Sequence, residues 1–227
     1  MIEGRTFDFE RDGVCLLPDA VAPGELGDLR DRVAEIVGVR GGARAVDLAP
    51  EIQALIGPQG RLTSIARELR GEEMKATRVL VFDKSADRNW GLGWHQDRAI
   101  AVRQRVDAPR FRHWTVKQGV PHVEAPEDVL SRMLTLRLHL DECGPGNGPL
   151  EIAKGSCRLG AVPKARIAEL VADLDCAPCP AAAGDVLAMK GLTFHRSKPA
   201  EHPTHRRVLH VDYAAGDLPG GLEWAQA

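Results

Sequence analysis

The sequence predicts a mainly β fold in which helices support a jelly-roll core. Short β-like runs dominate the chain after Met74, and no regular helical pattern separates them, which favours an antiparallel barrel or sandwich over a parallel sheet. Four of these runs are typical of strands: residues 76–82, 134–140, 184–189 and 206–213. We expect one domain over residues 1–227, with helical support over roughly 1–73 and the jelly-roll core over roughly 74–215.

The N-terminal third is expected to be mixed. Apolar residues recur at three- and four-residue steps over Pro23–Val37, which predicts an amphipathic helix on the outside of a sheet, ended by Gly38. Two further helical patterns cover residues 50–56 and 62–69. Residues 9–18 indicate a turn followed by a short strand.

The composition points away from nucleic acids and membranes as partners. The chain has 30 basic and 32 acidic residues, and its net charge of −2 produces no long-range field that would attract nucleic acid or an anionic membrane. Five Phe, four Trp and one Tyr leave few platforms for stacked bases. We therefore expect a small-molecule partner, and the sequence carries no signature of an oligomeric state.

No apolar stretch approaches the roughly 18 residues that a membrane span needs, and the charged N-terminal residues do not resemble a signal peptide. These features predict a cytoplasmic protein. The five cysteines are odd in number and scattered, so we expect them to be reduced. Cys176 and Cys179 have the spacing of a zinc or redox motif. Because no second ligand pair accompanies them, small buried residues entering a strand are the favoured interpretation.

Three His-x-Asp patterns could supply half of a metal site, because a strand projects residues i and i+2 to the same face. His95–Asp97 is preferred, since it follows glycines that let the backbone approach other groups closely. His139–Asp141 stays an alternative, although Asp141 more simply closes a turn. His210–Asp212 has no histidine after it and is interpreted as a satisfied pair on a strand.

His195, at the end of a predicted strand, is the expected second half of the site. A hairpin to the strand that begins at Arg206 would bring that guanidinium beside His195, where it could bind a carboxylate through two parallel hydrogen bonds. Ser197 could add a hydroxyl donor. Alone, His195 is more simply a core histidine; with His95 and Asp97 it completes the ligand set of non-haem iron(II) oxygenases.

At this point the chain resembles the phytanoyl-CoA dioxygenase family of iron(II)/2-oxoglutarate-dependent oxygenases over nearly its whole length. The resemblance is carried by successive segments: Glu10–Pro18, Pro23–Leu26, Gly93–Asp97, Asn147–Leu150 and Ala183–Leu187, followed by His195 and Arg206. It implies a double-stranded β-helix, a jelly roll of the cupin kind. Where members usually read Pro-Gly-Ser-His, this chain has Lys154–Cys157, a departure outside the expected ligands.

The resemblance also implies roles for individual residues. His95, Asp97 and His195 would bind Fe(II), Arg206 would bind the far carboxylate of 2-oxoglutarate with help from Ser197, and Trp114 would line the same pocket: the implied site residues are His95, Asp97, His195, Arg206, Ser197 and Trp114. O2 is the implied co-substrate. Related halogenases carry a small residue at the position of Asp97, so its presence favours hydroxylation of a small molecule.

Substrate recognition is less determined. Arg137, Lys117 and His122 could meet an anionic or polar substrate, and the segment that contains Lys117 is a common place for a lid. Equally, Lys117 could be solvated and Arg137 could pair with Asp141 or Glu142. Two other function classes stay open: a metal-binding isomerase or ligand-binding protein of the cupin kind without 2-oxoglutarate turnover, and a scaffold without metal.

Overall fold

The computed structural model describes residues 7–38, 41–44 and 48–225, and thirteen β-strands within these ranges form three antiparallel sheets. The strands are β1 (Val14–Leu17), β2 (Gly42–Arg44), β3 (Lys75–Lys84), β4 (Leu92–His95), β5 (Ala99–Ala101), β6 (Arg112–Lys117), β7 (Val120–Glu124), β8 (Leu134–His139), β9 (Leu150–Ala153), β10 (Cys176–Cys179), β11 (Val186–Lys190), β12 (His195–Ser197) and β13 (Arg206–Ala214).

The α-helices of the described ranges are α1 (Phe9–Asp12), α2 (Leu26–Val37), α3 (Pro50–Ile56), α4 (Arg61–Arg70), α5 (Glu127–Leu130) and α6 (Lys164–Ala172). A short 3-10 turn, Pro23–Glu25, leads into α2, and Gly38 ends it. Within these ranges, every helix is too short or too polar to cross a bilayer.

The strands alternate between two sheets, as jelly-roll connections require. The larger sheet has the order β1-β11-β8-β13-β3-β2, and the smaller has the order β10-β9-β12-β4. In the C-terminal half, β8, β11 and β13 join the larger sheet, whereas β9, β10 and β12 join the smaller one. The predicted mainly β, jelly-roll fold is confirmed. A third sheet, β5-β7-β6, is inserted between β4 and β8.

The outer face of the larger sheet packs against the N-terminal helices. Leu136 of β8, Val81 of β3 and Val211 of β13 are fully buried there with Val33 of α2 and Leu62 of α4. These residues recur at period 2 in the strands and at about period 3.6 in the helices, so each element presents one apolar face. Burying such side chains stabilises the fold by about 1.5–3 kcal/mol each.

The inner face of the larger sheet is polar, although it is buried. Thr135, Arg137 and His139 alternate with the leucines of β8, and all three are less than a tenth exposed. The sequence predicted that these side chains share one polar face, and the structure shows that this face points into the barrel. Thr135 donates to Asp212 and Arg137 donates to His210, and both of these partners lie on β13.

Two sequence-based expectations need correction. The strands that begin at His195 and Arg206 do not form a hairpin: β12 pairs with β4 and β9, whereas β13 pairs with β3 and β8 in the opposite sheet. Cys176–Cys179 is itself edge strand β10, in which Cys179 is buried but Cys176 is exposed. Alternation along a strand places one residue of each pair outward, so both cysteines could not be buried together.

Candidate metal centre

His95 and His195 meet where two neighbouring strands overlap. β4 ends at His95, β12 begins at His195, and the antiparallel ladder pairs these two residues directly. Directly opposed side chains on one face of a sheet are close neighbours. The two imidazole centroids are accordingly 4.1 Å apart.

Asp97 completes a group of three potential metal ligands. One ligand atom each from His95, Asp97 and His195 lies within 4.8 Å of the others, and Asp97 Oδ2 is 3.7 Å from His195 Nε2. Gln96, between two of these ligands, points to the opposite side. Its amide nitrogen donates to Leu192 O at 2.7 Å and its carbonyl accepts from Val162 N at 2.9 Å, which fixes the backbone that carries His95 and Asp97.

Hydrogen bonds to carbonyl oxygens orient both imidazoles. His95 Nδ1 lies 2.8 Å from Gly93 O, and His195 Nδ1 lies 2.9 Å from Thr193 O. A carbonyl oxygen accepts only, so each Nδ1 carries the hydrogen and each Nε2 is left with its lone pair. Metal-binding histidines are held in this way by their second nitrogen.

The charge states suit a divalent cation. Burial lowers the pKa of His195 to about 4, so its imidazole is neutral at pH 7. Burial would raise the pKa of the Asp97 carboxyl, but interactions with His195 and Arg78 outweigh this and lower it. The side chain of Asp97 stays 38% exposed and opens to a cavity. Two imidazoles that present Nε2 and one carboxylate match the iron(II) ligand set.

A buried cationic pocket lies inside the barrel near this group. Arg206 is 4% exposed; its guanidinium donates to Gly148 O and lies 3.4 Å from Ser197 Oγ. Lys84 is 1% exposed, and its Nζ lies 2.9 Å from the same hydroxyl. Among the described residues neither Arg206 nor Lys84 forms an ion pair, although Arg207, next in the chain, pairs with Asp141. Two buried cations without a carboxylate indicate an anion site.

The structure brings Arg206 and Ser197 together across the barrel, rather than along a hairpin. Lys84 was missed by the sequence reasoning. The available signal was the alternation of β3, because Lys84 follows Phe82 by two residues on the inner face, directly opposite Arg206 on β13.

Trp114 is placed elsewhere. It packs against the apolar cluster around Phe111 and Val123, with the Arg105 guanidinium 5.5 Å from its ring centroid. Its neighbours His113 and Thr115 line the metal cavity, and Trp114 is not among the described residues that do so. The strand bulges between residues 112 and 115, and His113 in this bulge has a positive φ of 53°. The pocket role of Trp114 stays a prediction.

The cavity lined by His95 and Asp97 has a volume of about 360 Å³ and includes Lys117 and Lys164 in its wall. Lys117 is exposed at its rim. His122, in contrast, is fully buried and packs beside the guanidinium of Arg44. Burial lowers the pKa of His122 to about 4, so it is neutral. Of the three substrate candidates, only Lys117 reaches this cavity.

The two other His-x-Asp patterns do not gather a third ligand within the described ranges. Asp141 pairs with Arg207 at 2.8 Å rather than with Arg137, and His139 is 1% exposed with no hydrogen-bond partner on its ring nitrogens. His210 Nε2 lies 3.1 Å from Asp212 Oδ1, the satisfied pair that the sequence indicated.

A jelly roll with a two-histidine, one-carboxylate group beside a buried cation pocket is typical of non-haem iron(II) oxygenases. The phytanoyl-CoA dioxygenase (PhyH) family profile matches residues 9–208. The chain belongs to this family of iron(II)/2-oxoglutarate-dependent oxygenases and is an enzyme of that superfamily, whose cofactors are Fe(II) and 2-oxoglutarate.

Solved structures share the fold. The carbocyclase SnoK from nogalamycin biosynthesis is 17% identical, with a TM-score of 0.69 over 92% of this chain and 82% of that one. The epimerase SnoN, in complex with Fe3+, alpha ketoglutarate and nogalamycin RO, is 16% identical, with a TM-score of 0.69 over 94% and 88%. EctD from S. alaskensis is 20% identical, with a TM-score of 0.67 over 91% and 74%. A comparison with curated protein sequences gave no match.

Proposed function

We propose that this protein is an iron(II)/2-oxoglutarate-dependent dioxygenase that hydroxylates a small-molecule substrate. The observation that supports this most directly is the meeting of His95, Asp97 and His195 within 4.8 Å, close to the buried Arg206. The two histidines and Asp97 fit a divalent metal, and the Arg206 guanidinium fits a carboxylate.

Each protein residue has a defined task in this proposal. His95 Nε2, His195 Nε2 and Asp97 hold the iron, and three protein ligands leave further coordination positions open. When bound, iron, 2-oxoglutarate and O2 supply an oxidant that hydroxylates a C–H bond, with release of succinate and CO2. Arg206, Ser197 and Lys84 bind the far carboxylate and thereby orient the keto acid end towards the metal. The buried barrel interior excludes water from these ion pairs.

Asp97 supports hydroxylation over halogenation, because the carboxylate takes the position that a halide would need. The similar structures include an epimerase and a carbocyclase, so proteins with this fold also catalyse reactions other than hydroxylation. Product analysis by mass therefore belongs in every assay: hydroxylation adds one oxygen atom to the substrate, whereas epimerisation leaves its mass unchanged.

The cavity wall supports a substrate that carries a negative charge. Glu124 lines the cavity, but it is paired with Arg98. Lys117 and Lys164 line the same cavity, and no ion pair among the described residues includes either of them. A carboxylate or phosphate on the substrate would neutralise these two ammonium groups near the metal.

Anaerobic titration with Fe(II) and then 2-oxoglutarate tests the proposal. We expect the visible charge-transfer band of a chelated 2-oxoacid, with a weaker affinity for 2-oxoglutarate in Arg206→Gln. The exposed Arg110→Gln is the matched control. Iron binding with an unchanged 2-oxoglutarate affinity in Arg206→Gln would favour a cupin-type metal protein. A protein that stays free of iron after loading would favour a scaffold.

A further inference from the structure

A second guanidinium, that of Arg137, is buried inside the barrel and has no assigned task. Arg137 is 7% exposed, and its Nε has no hydrogen-bond partner. Its neighbour on the same face, His139, lacks a partner on both ring nitrogens. Unpartnered buried polar groups are costly, so a cluster of them in a native fold calls for a ligand.

The strand register places Arg137 at a defined level of the barrel. On β13, Arg206 lies opposite Lys84, whereas His210 lies opposite Arg137, further along the same inner face. The next inner position of β3 beyond that level carries Arg78, which lines the metal cavity. Arg137 therefore lies between the Arg206 end of the barrel and the metal end.

A chain of buried hydrogen bonds fixes the Arg137 guanidinium. Its Nη1 donates to His210 Nδ1 at 2.8 Å, so His210 carries its hydrogen on Nε2 and donates to Asp212 Oδ1 at 3.1 Å. Asp212 also accepts from Thr135 at 2.8 Å and pairs with Arg78. The carboxylate of Asp212 is thus already used, and it orients Arg137 without neutralising it.

The barrel interior contains more buried positive charges than carboxylates to neutralise them. Burial and then the charge of Arg206 lower the pKa of Arg137 to about 10, and the Asp97 carboxylate opposes this effect. Arg137 therefore stays charged at pH 7. With Arg206 and Lys84 it forms a group of three cations that have no described carboxylate in an ion pair with them. In the proposed function, the far carboxylate of 2-oxoglutarate neutralises only the cations at the Arg206 end of the barrel.

We infer that Arg137 is a second binding residue for 2-oxoglutarate, which recognises the carboxylate at the metal end, with His210 as its positioning residue. This inference rests on the proposed function, because it assumes that 2-oxoglutarate occupies the barrel. It extends the co-substrate pocket to both ends of the diacid: Arg206 and Lys84 at the far carboxylate, Arg137 at the near one.

The test measures the Kd of two 2-oxoacids for the Fe(II)-loaded protein under anaerobic conditions. The charge-transfer band reports the binding of each ligand. 2-Oxoglutarate has both carboxylates, whereas 2-oxopentanoate keeps only the one beside the keto group. We expect Arg137→Gln to raise the Kd of both ligands by a similar factor, roughly ten- to a hundred-fold. Arg206→Gln should raise the Kd of 2-oxoglutarate alone. The exposed Arg132→Gln is the matched control and should change neither.

The outcomes separate the inference from the proposed function. A Kd for 2-oxoglutarate within two-fold of the wild type in Arg137→Gln overturns the inference, as does a loss confined to 2-oxoglutarate. If Arg206→Gln also leaves 2-oxoglutarate binding unchanged, the proposed co-substrate pocket itself fails. Arg137→Lys retains a cation, and it should recover part of the affinity and report on the same question if the glutamine variant does not fold. Unfolding midpoints of all variants separate ligand contact from general destabilisation.

Discussion

His95 and His195 face each other across the β4–β12 ladder, with their ring centroids 4.1 Å apart and both Nδ1 atoms bonded to carbonyl oxygens two residues earlier. The ladder sets the distance between the rings, and the carbonyls set the tautomers. The proposed iron site is therefore shaped by backbone hydrogen bonds before any metal binds.

Removal of either histidine should abolish tight iron binding. Outer-shell partners of a metal typically contribute 10–100-fold to affinity, so we expect loss of a direct ligand in His195→Ala to exceed about 100-fold. Anaerobic equilibrium dialysis with Fe(II) measures this. His202→Ala, an exposed histidine, is the control. Retention of stoichiometric iron by His195→Ala would contradict the site.

Asp97→Ala should lose succinate formation while the fold is retained, because the Asp97 side chain is 38% exposed and forms no ion pair with a described Lys or Arg. Succinate release, measured with Fe(II) and 2-oxoglutarate, gives the activity, and the thermal unfolding midpoint gives the stability. Full activity in Asp97→Ala would place the third ligand elsewhere.

Lys84→Met should weaken 2-oxoglutarate binding by about ten-fold, since a charge-assisted contact is lost. Burial and then Arg206 lower the pKa of Lys84 to about 8, with Arg137 adding to this and the Cys143 thiol opposing it. Anion binding favours the protonated amine, so wild-type affinity should fall as the pH rises through 8. That dependence should be absent in Lys84→Met and preserved in the control Lys198→Met, whose side chain is 60% exposed.

Asp212 should contribute to stability in a pH-dependent way. Burial would raise the pKa of its carboxyl, but Arg78 and His210 outweigh this and lower it well below the usual range. The ionised carboxylate therefore stabilises the fold at pH values above about 4, the ordinary pKa of an aspartate. This stabilisation is lost as the pH falls from about 4 towards the lowered pKa of Asp212. Asp212→Asn should cost about 3–5 kcal/mol at pH 7 and flatten the acid side of the stability profile. Asp217→Asn, 93% exposed, is the control in urea unfolding at pH 3–7.

The core of the larger sheet gives a separate test of the fold. Leu136 is fully buried between β8 and the helices, so Leu136→Ala should cost about 2–5 kcal/mol in denaturant unfolding. Val116 is 70% exposed, and Val116→Ala should change stability by less than about 0.5 kcal/mol. Equal effects of the two substitutions would contradict the burial of Leu136 against the helices.

Local periodicity determined much of the fold in advance. The alternation of Leu134–His139 predicted a strand with one polar face, and β8 has that face inside the barrel. The helical pattern of Pro23–Val37 predicted α2, which begins at Leu26 after a 3-10 turn. Residue spacing is encoded locally, so these elements could be identified without knowing their neighbours.

The sequence by itself determined the order of chemical groups: a His-x-Asp pair, a later histidine, and an arginine beyond it. Only the tertiary structure decided how they meet. β12 and β13 lie in opposite sheets, so Arg206 reaches Ser197 across the barrel. The same arrangement places the buried side chains of Lys84 and Arg137 in the barrel interior. The cavity wall contains His113 and Thr115, the neighbours of Trp114, and Trp114 is not among the described residues that line it. Pairing between strands distant in sequence is a long-range property of packing, and no local pattern records it.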